Sequence, residues 1–100
     1  MQNQLEKYDT IIIGSGLAGL SCAALLAKSG QKIVLLEKNQ QLGGYATSYE
    51  VKGHRFDIAI QAIGGCDTNG AVYSLLDSLN IKQKVQFLKC EPARVYYFDE

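Results

Sequence analysis

The sequence has no tryptophan, one proline, one histidine and no excess of either charge, with ten Lys and Arg residues against ten Asp and Glu residues. The lack of a basic surplus argues against nucleic acid as a partner, because nucleic-acid binding needs a positively charged surface. The three cysteines, Cys22, Cys66 and Cys90, match neither a zinc-finger nor a redox CxxC spacing. We therefore expect reduced thiols, no metal site and a cytoplasmic location.

The sequence also lacks an apolar run that can cross a membrane as one helix. Residues 10–27 carry no charge, but the run is interrupted by Gly14-Ser15-Gly16 and is preceded by a balanced, partly acidic segment. A spanning helix must be continuous and a signal peptide needs positive charge, so neither fits. With 47% hydrophobic residues in 100 positions, the composition is that of a single globular domain.

The first 37 residues predict a β-strand, an α-helix and a second β-strand. Residues 8–13 end in four β-branched side chains, Thr10 to Ile13, and such a run is typical of a parallel strand that is buried on both faces. Good helix formers occupy residues 17–29, and the apolar residues 33–36 form the second strand, which ends at Glu37. The fold class is therefore α/β, beginning with a βαβ unit.

The remaining residues predict a hairpin, a helix and two further strands. Residues 47–57 alternate around Lys52-Gly53, as a short antiparallel hairpin does. Residues 71–79 carry an apolar stripe at helical spacing, with Asn69 or Thr68 as the candidate N-cap. Residues 85–88 and 95–98 are apolar enough for strands.

The motif that carries chemistry is GxGxxG, which lies directly between the first strand and the first helix. Gly14 permits a tight turn, Gly16 lets a diphosphate approach the backbone, and Gly19 lets the helix pack closely on the strand. The N–H groups of the first helical turn have no intrahelical acceptor and can bind an anion. The residues between the glycines are Ser15, Leu17 and Ala18.

Glu37 ends the second strand, at the position from which a carboxylate can accept hydrogen bonds from both hydroxyls of an adenosine ribose. The same negative charge repels a 2′-phosphate, so NADP is disfavoured. FAD and NAD fit these residues equally well.

A glycine pair, Gly43-Gly44, follows Glu37 after six residues, and with the preceding motif it resembles the FAD-dependent amine-oxidase and phytoene-dehydrogenase superfamily. Residues 49–57 extend the resemblance to carotenoid desaturases, carotenoid isomerases and retinol saturases. The resemblance implies a Rossmann-like FAD-binding domain in which the glycine pair lies near the flavin. The cofactor-binding residues it implies are Gly14, Ser15, Gly16, Leu17, Ala18, Gly19, Glu37, Lys38, Gly43 and Gly44.

Two departures refine the function that the resemblance implies. Tyr45 stands where many amine oxidases have arginine, which favours the carotenoid and retinoid branch, and Ala59 replaces a frequent glycine. The implied activity is a flavin-dependent desaturation, saturation or isomerisation of a lipophilic polyene. One alternative is an amine-oxidase-like enzyme acting on another small molecule. The other is a non-catalytic module similar to Rab escort and GDP-dissociation-inhibitor proteins, although their nucleotide glycines are degraded.

The sequence identifies no catalytic residue. His54 is expected to be a solvated hairpin residue and Cys22 a packing residue, while Cys66 is the thiol whose neighbourhood could approach a flavin. The chain stops at Glu100 directly after an apolar segment, so we expect a truncated FAD-binding domain. The substrate domain and any peripheral membrane contact would then lie beyond Glu100. For the same reason we expect the apolar residues of the first two strands to remain partly exposed.

Overall fold

The computed structural model describes residues 6–92 and 95–98. Its elements in chain order are β1 (Thr10–Ile13), α1 (Leu17–Lys28), β2 (Ile33–Leu36), β3 (Ser48–Val51), β4 (His54–Asp57) and α2 (Ala71–Ser78). One short 3-10 turn, Gly44–Ala46, lies between β2 and β3, and another, Lys82–Lys84, follows α2. The chain divides into two compact units, Met1–Ile60 and Gln61–Glu100.

The predicted βαβ unit is confirmed in the first compact unit. β1 and β2 pair in parallel, from Thr10 opposite Ile33 to Ile13 opposite Leu36, and α1 connects them. The first strand is two residues shorter than predicted, since regular pairing begins at Thr10. Beyond the last pair, the Gly14 N–H donates to the Leu36 carbonyl at 2.7 Å, so the two carboxyl ends stay together as the chain enters the glycine motif.

The predicted hairpin is also confirmed. β3 and β4 pair antiparallel, with Val51 opposite His54 and Tyr49 opposite Phe56. Lys52 and Gly53 both adopt positive φ, of 51° and 78°, as the tight turn of a two-residue hairpin requires. The Tyr49 and Phe56 rings stack with centroids 5.6 Å apart, which holds the register.

In the second compact unit, the predicted helix α2 is present, but its predicted cap is wrong. Gly70 is the N-cap, and no side chain caps the helix, so neither Asn69 nor Thr68 has that role. A Cβ at Gly70 would lie 2.1 Å from the Gly65 carbonyl oxygen. The entry to α2 is therefore determined by two glycines whose backbones approach closely, not by a side-chain oxygen.

The two further strands predicted near the end of the chain do not form in the described residues. Residues 85–88 and 95–98 carry no strand pairing. Val85 has extended dihedral angles, with φ −121° and ψ 127°, but an extended segment becomes a strand only when a neighbour accepts its hydrogen bonds. The exposed aromatic side chains Tyr97 and Phe98 belong to the second of these segments.

No apolar side chain within residues 6–92 and 95–98 is buried. Ile11 and Ile13 are 62% and 85% exposed, and the apolar residues of β1 and β2 are all at least partly exposed, as expected. The prediction that Cys22 is a packing residue is wrong, because this side chain is exposed on α1. A two-stranded parallel sheet and one helix leave faces that a complete α/β domain covers with further layers.

Candidate functional site

The candidate site begins at the turn between β1 and α1. Gly14 adopts φ +94°, a left-handed conformation that a residue with a Cβ rarely takes. Gly16 is the N-cap of α1, with extended angles and no side-chain cap. The first hydrogen bond of the helix joins the Leu20 N–H to the Gly16 carbonyl at 2.9 Å. The earlier N–H groups of the helix therefore have no acceptor within it, and the positive end of its dipole lies at this turn.

Two glycines of the motif are needed for opposite reasons. A Cβ at Gly19 would lie 2.0 Å from the Gly14 carbonyl oxygen, so α1 can approach the end of β1 this closely only because Gly19 lacks one. A Cβ at Gly16 would meet no heavy atom within 4 Å. The described residues therefore place no heavy atom where a Cβ of Gly16 would project, and the space on that side of Gly16 is open to a ligand.

Glu37 lies at the end of β2 beside this turn, where its carboxylate accepts three hydrogen bonds. Its Oε2 accepts from the Ser15 N–H at 2.8 Å and from the Ser15 hydroxyl at 2.7 Å. Its Oε1 accepts from the Asn39 N–H at 2.8 Å. A carboxylate has about four acceptor sites, so capacity for a ligand hydroxyl remains at Oε1.

These hydrogen bonds determine the charge of Glu37. The hydroxyl of Ser15 contributes most, followed by the backbone N–H groups of Asn39 and Ser15 and, least, that of Lys38, and together they lower the pKa of Glu37 to about 2. Hydrogen bonds to the ionised form favour that form. Glu37 is therefore a carboxylate, and only an acceptor, at any physiological pH.

The glycine pair Gly43-Gly44 packs against the turn between β1 and α1. The Gly43 N–H donates to the Ser15 carbonyl at 2.8 Å, and Gly16 and Gly43 form an isolated parallel bridge. A Cβ at Gly44 would lie 3.1 Å from the Gly16 Cα, and one at Gly43 would lie 2.7 Å from the Thr47 side chain. Both glycines also have positive φ. The absence of side chains at Gly43 and Gly44 is thus required within the chain itself, by a loop that packs against the motif.

The structure brings together seven of the ten residues that the sequence predicts for cofactor binding, and these seven we call the glycine–carboxylate cluster. They are Gly14, Ser15, Gly16, Gly19, Glu37, Gly43 and Gly44. Leu17 and Ala18 contribute backbone at the start of α1, and Lys38 is exposed beside Glu37. The hydrogen bonds from Ser15 and Asn39 to Glu37 were not predicted from the sequence. The signal for the first was available, since paired parallel strands place the residues after Ile13 beside those after Leu36.

The other candidates lie outside the cluster. His54 is exposed at the start of β4, paired with Val51 across the hairpin. Cys66 belongs to the second compact unit, where its thiol lies near the carbonyls of Ile63 and Gly64. In residues 6–92 and 95–98 there is no group of three His, Cys, Asp or Glu residues that could hold a metal, nor a helix long and apolar enough to cross a membrane.

The arrangement matches one family of domains. The model for NAD(P)-binding Rossmann-like domains matches residues 12–79, which include the end of β1 and all of α1, β2, the hairpin and α2. The chain belongs to that family. Within it, the relatives described next support the amine-oxidase and phytoene-dehydrogenase branch to which the motifs pointed. No solved structure matches this Rossmann-like chain.

Several curated relatives of this Rossmann-like chain are enzymes named for retinoid or carotenoid substrates. An all-trans-retinol 13,14-reductase of Danio rerio is 34% identical over 74 residues, which is 74% of this chain and 12% of the relative. A carotenoid 3,4-desaturase of Haloarcula japonica is 48% identical over 56 residues, 56% of this chain and 11% of the relative. A phytoene desaturase of Fusarium fujikuroi is 35% identical over 94 residues, 94% of this chain and 16% of the relative. The chain thus spans a small part of the length of these oxidoreductases.

Proposed function

We propose that these residues form the FAD-binding segment of a flavin-dependent oxidoreductase that acts on a carotenoid- or retinoid-like polyene. The observation that carries the proposal is the open space in front of Gly16, beside the uncapped start of α1 and the ionised Glu37. A dinucleotide presents a diphosphate and a ribose, and this cluster offers N–H donors for the first and a carboxylate acceptor for the second.

Each group of the cluster has a separate task in holding the cofactor. The N–H groups at the start of α1, at Leu17, Ala18 and Gly19, donate to the diphosphate, which benefits from the helix dipole. Oε1 of Glu37 accepts from a ribose hydroxyl, and its charge opposes the 2′-phosphate of NADP. FAD, when bound, supplies the hydride or electron exchange with the substrate.

The names of the relatives support a lipophilic polyene as the substrate, and Tyr45, where many amine oxidases have arginine, agrees. In this proposal residues 1–100 are the N-terminal segment of one FAD-binding domain. Because the chain spans only 11 to 16% of these relatives, the proposal assigns the substrate-binding part and the catalytic groups to parts of the whole protein outside residues 1–100. In the same proposal the protein is cytoplasmic, and its contact with membranes is peripheral and lies outside residues 1–100.

The first test is the visible absorption of the purified full-length protein. We expect the absorption bands of bound oxidised flavin. In a desaturation these bands bleach without oxygen, because the hydrogenated polyene gives up two electrons and two protons to the flavin as its new double bond forms. A protein that stays colourless and binds no added FAD in calorimetry would overturn the proposal and favour a non-catalytic module.

The second test concerns Glu37. Replacing it with glutamine removes the charge of the acceptor, and hydrogen bonds to charged groups are the stronger ones, so we expect Glu37→Gln to weaken FAD binding by about 10- to 100-fold in calorimetry. Glu50→Gln, in the exposed hairpin strand β3, is the matched control and should leave the affinity unchanged. Equal FAD affinities of the wild type and Glu37→Gln would show that Glu37 does not bind the ribose.

A further inference from the structure

We propose that the Ser15 hydroxyl is a positioning group for nucleotide recognition, which holds the Glu37 carboxylate in the orientation that leaves Oε1 for the ribose. This inference rests on the proposed function, because it concerns how the same cluster recognises its ligand. In the motif Ser15 occupies a position between two glycines, where the sequence pattern itself makes no demand on the residue type.

Burial is the first observation that singles out Ser15. Its relative exposure is 0%, and within the described ranges it is the one side chain that is buried. No apolar side chain in the described ranges is as buried as this hydroxyl, which lies at the edge of the sheet where the ligand is proposed to bind. A buried hydroxyl needs a hydrogen-bond partner, and the partner here is Glu37 Oε2 at 2.7 Å.

The second observation is that Ser15 contacts both segments that complete the cluster. Its N–H and hydroxyl both donate to Oε2 of Glu37, 22 residues later in the chain. Its carbonyl accepts from the Gly43 N–H at 2.8 Å, and its Oγ lies 3.4 Å from the same nitrogen. Ser15 therefore joins the glycine turn, the end of β2 and the glycine pair.

Two donors on one oxygen give the carboxylate a defined orientation. With Oε2 held by Ser15, rotation of the carboxyl group would break two short hydrogen bonds, so Oε1 is left as the oxygen with a free acceptor site. Without the hydroxyl, the N–H of Ser15 alone would hold Oε2. Glu37 would then lose part of its orientation before the ligand binds, and affinity falls when a binding group is less preorganised.

The test is a double-mutant cycle on FAD affinity in the full-length protein. Ser15→Ala should weaken binding about tenfold, as expected for one hydrogen bond to a charged group. In the Glu37→Gln background the same change should alter affinity by less than about twofold, because the group that Ser15 positions is already impaired. Ser29→Ala is the matched control, since it removes a hydroxyl that donates at the same 2.7 Å, to the Leu26 carbonyl outside the cluster.

A pair of nearly isosteric variants separates the hydroxyl from the volume of the side chain. Threonine and valine have nearly the same shape, and both add a methyl group to the Cβ of Ser15. Threonine keeps the hydroxyl donor, whereas valine replaces it with a second methyl group. We expect Ser15→Thr to bind FAD more tightly than Ser15→Val, and equal affinities would contradict the proposal. If either variant fails to fold, the double-mutant cycle with Ser15→Ala and Glu37→Gln still tests the role of the hydroxyl.

The outcomes distinguish this inference from the proposed function. FAD binding by the wild type with additive effects of Ser15→Ala and Glu37→Gln overturns the role of Ser15 and leaves the proposed function intact. A wild-type protein that binds no FAD overturns the proposed function, and this role with it.

Discussion

Alanine substitutions at Gly16 and Gly19 should separate ligand binding from folding, although the two glycines belong to one motif. The added Cβ at Gly19 would lie 2.0 Å from the Gly14 carbonyl oxygen and 3.1 Å from its carbon. Non-bonded heavy atoms need about 3.5 Å, so α1 would have to move away from β1 by about 1.5 Å. The obstacle is backbone and cannot rotate away as a flexible side chain could.

Two opposing effects determine how much Gly19→Ala changes the free energy of unfolding. Overpacking of this kind costs about 1 to 3 kcal/mol, and the rigid obstacle places Gly19→Ala at the upper end of that range. The higher helix propensity of alanine stabilises the helix by about 1 kcal/mol, so we expect the free energy of unfolding to fall by about 2 kcal/mol in total. At Gly16 the φ of −66° suits any residue and the Cβ meets nothing, so Gly16→Ala should change stability by less than about 0.5 kcal/mol.

Both variants should lose affinity for FAD, for different reasons. In Gly16→Ala the methyl group occupies the open space in front of the turn, whereas in Gly19→Ala the helix start is displaced. The assay is thermal unfolding of the apoprotein together with calorimetric FAD binding, on the full-length protein. A Gly16→Ala variant that binds FAD as the wild type does would show that the open space is not the ligand site. A Gly19→Ala variant with an unchanged melting temperature would refute the packing argument.

Two further predictions concern acid and the isolated chain. Because the pKa of Glu37 is lowered to about 2 in the folded state, its contribution to stability is complete above the ordinary value of 4.5 and is lost as the pH falls from 4.5 towards 2. The stability difference between wild type and Glu37→Gln, from urea unfolding, should therefore be constant above about pH 5 and shrink below it, and a difference unchanged at pH 2 would contradict this. Residues 1–100 alone should unfold without a sharp transition, aggregate and lose FAD on gel filtration, since none of their described apolar side chains is buried. A monomer with one sharp transition and stoichiometric FAD would refute that expectation.

Local patterns in the sequence were enough to predict the elements that depend on neighbours along the chain. The βαβ unit follows from two apolar runs separated by helix formers, and the hairpin follows from Lys52-Gly53 between alternating residues. The motif from Gly14 to Gly19 and the later glycine pair indicated the family. These signals are strong because strand alternation, turn conformations and glycine dihedral angles are determined within a few residues.

Other features were decided by tertiary structure, because they depend on residues far apart in the chain. The resemblance assigned Gly43-Gly44 to cofactor contact. The structure shows that the two positions also lack room for a side chain, because a Cβ there would lie too close to Thr47 or Gly16. Residues 85–88 have strand-like composition and no strand, since strand formation depends on a neighbouring edge. The bond from Ser15 to Glu37 spans 22 residues and exists because β1 and β2 end side by side. Sequence alone thus determined the residue types of the site, and the pairing of two strands determined which of them meet.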